Sequence, residues 1–299
     1  TYTTSDELAL LEAGADTDAS ADTREVLNYI SALMHSVHLM AELPVCHRLI
    51  REAHEKLLSG LPQERGGNKR PGEYKRDQNW IGGATPARAR FVPPPPMETE
   101  AAMDQLENFI NRPDPSDVPP LIEAGLVHYQ FETIHPFADG NGRVGRILIP
   151  IMLLSRQLIA SPVFYPSASL EGRKDEYIDR MFAVSAKGDW TGWLKFFLHV
   201  CADTCHTSIR VIDRLLALQA AYREKAMASF RSTNVIILID HLFETPMVST
   251  PAVKSLLGVT HRAARMTIAN LEEIGVLRKV EGPTMPEFFA AREILRAGE

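Results

Sequence analysis

What the sequence has little of removes several classes of protein at once. Its 299 residues hold three cysteines, Cys46, Cys201 and Cys205. That is too few for a disulfide framework and in keeping with a reducing compartment, so a cytoplasmic setting is expected. No apolar run approaches the roughly 20 residues a membrane helix needs, so no membrane partner is expected. Basic residues are not in excess either. A net charge of −6 argues against a protein built wholly around nucleic acid, while leaving room for a locally basic module. No signal peptide is visible, and no internal repeat survives counting. What is present, 45% hydrophobic and 23% charged residues, is ordinary globular composition in a chain long enough for one large domain and a small one.

The hydrophobic pattern is mostly helical. Thr4 and Glu7 have the spacing of a capping box, opening a short helix that Gly14 would end, and Ala15 to Thr23 reads as a loop. Val26, Leu27, Ile30, Leu33, Met34 and Val37 recur at helical spacing, and another helix from about Val45 to Leu58 stops at Gly60. Between 61 and 96 the helical period disappears. Glycines and prolines mark turns there, Gln78 to Val92 has the makings of a short hairpin, and Pro93 to Pro96 form a stiff connector. Helices are expected again near 98–110, 119–132, 143–158, 172–187 and 190–229.

From 233 the texture changes. Val235, Ile236, Ile237, Ile239 and Leu242 begin it, helices follow at about 250–257 and 260–274 around Gly258, and Gly275 to Val280 reads as a strand. That order is a helix-turn-helix with a wing. The expected fold is mainly α with a β-hairpin flap, plus a small C-terminal winged helix-turn-helix domain. Its divisions are an N-terminal helical extension (1–60), a catalytic core with flap (61–215), a linker helix (216–232) and the winged helix (233–299).

The most informative stretch runs His135-Pro136-Phe137-Ala138-Asp139-Gly140-Asn141-Gly142-Arg143-Val144-Gly145-Arg146, followed at once by the apolar run Ile147 to Leu154. Gly140 and Gly142 flank Asn141 just before a helix, where the backbone can turn tightly and the first N–H groups face an anion. Asp139 is the group to bring in Mg²⁺, which takes one or two carboxylates plus substrate oxygens. Arg143 and Arg146, three apart on one helix face, can both reach a phosphate tail. His135, with an ordinary pKa of about 6.5, can take a proton from an attacking hydroxyl. Phe137 most simply anchors the loop in the core. Taken singly, a His before Pro is usually a loop residue, Gly-Asn-Gly a turn, and helix-face arginines solvated. Their joint occurrence in one register outweighs those readings.

The same positions match HxFx[D/E]GNGRxxR, the signature of the Fic family of adenylyltransferases, which the chain strongly resembles. Arg24-Glu25-Val26-Leu27-Asn28-Tyr29, Asn79-Trp80-Ile81-Gly82 and Gly188-Asp189-Trp190 extend the resemblance over about residues 1–200, to Fic proteins with an N-terminal helical extension. The resemblance implies the Fic helical fold and transfer of AMP from ATP to a Ser, Thr or Tyr hydroxyl of a protein, or of the chain itself, with release of pyrophosphate. It implies His135 as base, Asp139 for Mg²⁺, Gly140, Asn141 and Gly142 for the phosphates, and Arg143 and Arg146 for the distal phosphates. It also implies that Gln78, Asn79, Trp80 and Ile81 hold the target backbone by adding a strand. ATP and a hydroxyl-bearing protein are thus the expected partners, and a homodimer is a candidate because helical family members often pair.

Many Fic proteins carry an inhibitory motif, [S/T]xxxE[G/N]. Thr3 and Glu7 have its spacing, but Leu8 stands where a small or amide residue is expected, so Glu7 reads better as part of a capping box. Thr1-Tyr2-Thr3-Thr4 resembles sequence that follows the motif, and the expectation is that the chain begins just after it. In the tail, Thr260, His261, Arg262 and Arg265 sit early on the recognition helix and are candidates for DNA contact, with Arg278 and Lys279 on the wing. Glu272, Glu273 and Glu281 dilute that basic patch. The rival functions are a DNA-binding regulator whose Fic body only senses nucleotide, and a Fic enzyme that uses another nucleotide or removes AMP.

Overall fold

The computed structural model describes residues 5–13, 20–83, 85–280 and 286–298. Thr1 to Thr4, Gly14, most of the expected loop after it and Glu281 lie outside these, so the capping-box reading of Thr4 and the spacing argument on Thr3 are not described. The chain divides into two compact units, Arg24–His206 and Thr1–Thr23 with Thr207–Glu299.

The unit Arg24–His206 is helical. It contains α2 (Ala21–Leu39), α3 (His47–Leu58), α4 (Pro96–Ile110), α5 (Pro120–Ile134), α6 (Asn141–Ser155), α7 (Ser167–Glu171), α8 (Lys174–Lys187) and the first part of α9 (Trp190–Ser229). Proline opens α4 and α5 at the first helical position, where its missing N–H has no partner to lose. From Ile147 to Leu153 the helix α6 is apolar on every side. Val144, Ile147, Leu148, Ile149, Ile151 and Met152 are all buried, as expected of a helix enclosed by its neighbours. They share one core with Leu33 of α2, Leu49 and Leu57 of α3 and Phe131 of α5. Through this common core residues 24–60 belong to the same compact unit as the signature segment. On α2 the inward face differs from the apolar periodicity: Met34 is half exposed, whereas Glu25 is buried.

Polar groups lock the far end of the bundle. The Glu123 carboxylate on α5 is fully enclosed, and it accepts from Arg112 Nη1 at 2.5 Å and from Arg156 Nε at 2.6 Å. The flap is less regular than a hairpin. Among the described residues it contains one antiparallel bridge, Ile81 with Phe91, because Gly82 and Gly83 at positive φ turn the chain immediately after Ile81.

The other unit holds α1 (Ser5–Glu12), the rest of α9, α10 (Thr233–Leu242), β1 (Met247–Ser249), α11 (Thr250–Leu257), α12 (His261–Glu273), β2 (Arg278–Lys279), β3 (Phe288–Ala290) and α13 (Arg292–Ala297). The three strands form an antiparallel sheet in the order β1-β3-β2, with Met247 opposite Ala290 and Lys279 opposite Phe289. Gly258 in the left-handed region closes α11, and the Thr260 hydroxyl caps α12 by accepting from Ala263 N. Leu238, Leu242, Val253, Ile268 and Leu271 form the centre of its core. Ala9 of α1 packs with Met247 and Ala290. β1, β3 and α13 lie outside the elements expected from sequence.

Candidate active site

The corner between α5 and α6 carries the signature. Its first residue is also its most strained. His135 ends α5 at φ 48° and ψ 59° while its N–H donates to Phe131 O at 3.0 Å. A left-handed residue other than glycine persists only where its surroundings hold it. Here Pro136 forbids further helix, and Asn79 Nδ2 donates to His135 O and to Phe137 O, both at 3.0 Å. Lys75 completes the clamp. Its N–H donates to Pro136 O at 2.8 Å, and its ammonium donates to Asn79 Oδ1 at 2.9 Å and Ile134 O at 3.2 Å. Burial pulls the Lys75 pKa down to about 8.

The ring of His135 is oriented by its own helix. Nδ1 donates to Glu132 O at 3.2 Å, which leaves Nε2 with its lone pair. Burial lowers the His135 pKa to about 4, with the Lys75 cation acting in the same direction. The imidazole is therefore neutral over the physiological range and fit to accept a proton.

Beyond it the loop turns on Gly140, left-handed at φ 77°, where a Cβ would come within 3.3 Å of the His54 ring. Asn141 is buried and fastens the loop to itself: Oδ1 accepts from Phe137 N and Nδ2 donates to Phe137 O, both at 2.8 Å. At the start of α6 Arg143 N–H donates to Gly140 O at 3.1 Å and Gly140 N–H to Asp139 Oδ1 at 2.5 Å, while the N–H groups of Asn141 and Gly142, with no helical carbonyl one turn back, suit an anion. Asp139 is part-exposed at this mouth, with Oδ1 3.6 Å from an Arg143 nitrogen. Arg143 is also ion-paired with Glu25 of α2, whose other oxygen accepts from Arg65 at 3.0 Å. Arg146 folds back along α6, its Nη1 3.2 Å from where a Cβ on Gly142 would lie. It makes no ion pair with a carboxylate among the described residues.

A cavity of about 110 Å³, mostly apolar, adjoins His135 and is lined also by Ile81, Phe91, Tyr177, Met181 and Phe182. It lies between the flap and α8, and the Arg90–Asp179 ion pair joins those two elements. Among the flap residues named from sequence, Ile81 lines this cavity and carries the bridge, while Trp80 is exposed. Gln78 Nε2 donates to Pro93 O at 3.0 Å, and the Asn79 side chain is committed to the loop His135–Phe137. In the other unit, His261, Arg262 and Arg265 are exposed on α12, Arg278 is exposed on β2, and Lys279 pairs with Glu287.

Several residues of the site escape sequence reasoning. His54 of α3 stacks on Phe137 with ring centroids 3.8 Å apart, accepts from Gly72 N at 2.9 Å, and donates to Asp139 O at 3.0 Å. Glu25, Lys75, Arg90 and Glu132 are likewise distant from the signature or read as ordinary helix and loop residues. Only the Arg24–Tyr29 resemblance pointed near one of them.

A buried helix entered through glycines carries two guanidiniums on its first turns and a neutral imidazole at its mouth, an arrangement whose donors suit an anion and whose ring can accept a proton. Residues 44–153 match the model of the Fic/DOC family. Over 157 residues it is 29% identical to protein adenylyltransferase Fic of Drosophila virilis, covering 52% of this chain and 30% of that protein. The Drosophila melanogaster protein of the same name is 28% identical over the same length, with the same coverages. The chain thus spans about 30% of the length of these curated relatives. Two solved structures share the fold. A Fic family protein from Desulfovibrio desulfuricans G20 has a TM-score of 0.56 at 20% identity, covering 97% of this chain and 81% of its own. A Fic domain containing signaling protein from Bacteroides thetaiotaomicron has a TM-score of 0.56 at 23% identity, covering 70% and 80%.

Proposed function

We propose that this chain transfers AMP from ATP to a Ser, Thr or Tyr hydroxyl on a protein, with His135 as the base. The observation that carries this reading is the His135 ring, neutral and oriented by Glu132 O, beside a helix mouth suited to phosphates. The apolar cavity between flap and α8 takes the nucleobase, and the first turn of α6 takes the phosphates through backbone N–H groups at Asn141 and Gly142. Asn141 serves by holding the loop in that shape. Arg143, kept in place by Glu25, and Arg146 meet the tail. The target hydroxyl gives its proton to Nε2 of His135 as its oxygen bonds to the α-phosphorus; the bond to the bridging oxygen breaks and pyrophosphate leaves. Positioning and fixed charge supply most of the acceleration. The flap edge around Gln78 to Ile81 presents the target segment. Asp139, one part-exposed carboxylate at the mouth, fits the coordination habit of Mg²⁺, which takes few protein ligands and completes its shell with phosphate oxygens and water. Mg²⁺ bound there would neutralise charge on the leaving pyrophosphate. The three thiols are free, which accords with a cytoplasmic setting.

Incubation with α-labelled ATP, Mg²⁺ and a lysate of candidate targets tests the reading. Labelled protein should appear with the wild type and fall by roughly 10²–10⁴-fold with His135→Ala. Label that survives the substitution would remove His135 from the role of base.

The C-terminal unit is read as a winged helix that touches DNA through Arg262 and Arg265 of α12 and Arg278 of the wing. Its support is the helix-sheet order and the exposure of these cations. Duplex binding measured across salt concentrations should weaken steeply with salt; binding that is absent at low salt rejects the contact.

A further inference from the structure

Glu132 is a titratable residue of this corner whose chemistry the transfer reaction leaves unused. It lies on α5, one turn before His135. It is only 6% exposed, and Oε1 is buried with no hydrogen-bond partner. A buried carboxyl without a partner is costly and uncommon, so its retention asks for a reason. It faces the glycine side of α6. A Cβ on Gly145 would fall 2.1 Å from Oε1, so glycine there makes room for the carboxyl. A Cβ on Gly142 would lie 3.9 Å from the same oxygen and 3.2 Å from Arg146 Nη1. Carboxyl and guanidinium therefore share the space beside the first turn of α6.

The neighbouring groups leave Arg146 as the cation that acts on Glu132. His128 and His135, on and just after the same helix, are both lowered by burial to about 4 and are neutral. Tyr177 of α8 has its hydroxyl on His128 Nε2 at 3.0 Å and is pushed well above its ordinary pKa, so it stays protonated. Arg90, which with Glu132 lines the apolar cavity beside His135, is paired with Asp179. Burial raises the Glu132 pKa to about 7, and Arg146 acts against that rise.

We infer that Glu132 is the internal counter-charge of Arg146 and yields it to the phosphates of the incoming nucleotide, so that the site takes up a proton when it takes up the anion. This rests on Arg146 being a phosphate ligand, as proposed above. The anion draws the guanidinium away from the carboxyl and adds negative charge nearby. Both effects favour the protonated carboxyl, and the proton comes from solvent. By linkage, affinity must then fall as pH rises past 7. If binding lifts the Glu132 pKa from about 7 to about 8, the loss between pH 6 and pH 8 is roughly fivefold. Glu132 is on this view a positioning residue that meters the charge of Arg146, although it also lines the apolar cavity assigned above to the nucleobase.

The probe is an ATP analogue with a methylene between the α- and β-phosphorus, which cannot be turned over. Calorimetric titration of the full chain at pH 7, in two buffers of different ionisation heat, should show greater proton uptake by the wild type than by Glu132→Gln. The titration of the analogue itself is common to both proteins. The variant should also lose the roughly fivefold pH dependence derived above. Equal uptake and equal pH dependence overturn the inference. A second measurement needs no nucleotide and no Glu132 variant. The carboxyl ¹³C signal of Glu132 should titrate higher in Arg146→Gln than in wild type, and an unmoved midpoint overturns the pairing. If Arg146→Gln binds the analogue as tightly as wild type, the phosphate role of Arg146 falls, which is a different failure from a Glu132 that fails to couple.

Discussion

His54, His128 and His135 are each lowered to about 4, first of all by burial, and each ring has its protonated nitrogen assigned by a carbonyl acceptor. An imidazole that is neutral when folded binds its proton more tightly in the unfolded chain. Stability is then fully present above about pH 6.5 and drains away as pH falls toward 4. Glu132 runs the other way, because its raised pKa favours the folded state as pH falls below about 7. Three histidines against one carboxyl leave a net slope of up to roughly 3 kcal/mol per pH unit between about pH 6.5 and 4.5. Urea denaturation at pH 7, 6 and 5 should show it, and a flat profile would mean these rings are solvated. At this scale the signature was legible because its members are contiguous. The residues that hold it were not. Glu25 and Arg143 stand 118 positions apart and His54 and Asp139 stand 85 apart, and no local pattern announces such pairs.

Among elements, α5 and α6 set the site, and their far ends are tied together by Glu123. Removing one member of an enclosed charge cluster strands the others. Glu123→Ala leaves Arg112 and Arg156 without their shared carboxylate and should cost about 3–5 kcal/mol, read from the urea midpoint. A loss below about 1 kcal/mol would place the cluster among ion pairs of little consequence. The helices themselves were readable from period, since α3, α4, α8, α11 and α12 fall close to their expected spans. Short elements were not: β1 and β3 have three residues each and α13 has six, too few for a period to emerge. The apolar side of α2 was misjudged at Met34 because helical spacing cannot show that a neighbouring arginine will draw Glu25 inward. Likewise, the expected hairpin at 78–92 shrank to one bridge because positive-φ glycines follow its first paired residue at once.

For the molecule as a whole, hydrophobic periodicity correctly pointed to a mainly helical chain, and among the described residues no helix is long and apolar enough to cross a membrane. The division into bodies was harder to see. Segments 24–60 and 61–206 look different in sequence, one periodic and one broken by turns, yet they share one hydrophobic core. Texture reports local structure; a core is assembled from distant segments. The same lesson applies to chemical ageing. Asn141-Gly142 is the kind of dipeptide that loses its amide readily in a flexible chain, when the glycine nitrogen attacks the side-chain carbonyl to form a succinimide. Here both amide atoms are engaged by Phe137 and the backbone is already in the first turn of α6. That geometry denies the attack, so isoaspartate at this position would mark molecules whose catalytic loop had opened, a clock that runs only while the site is unmade.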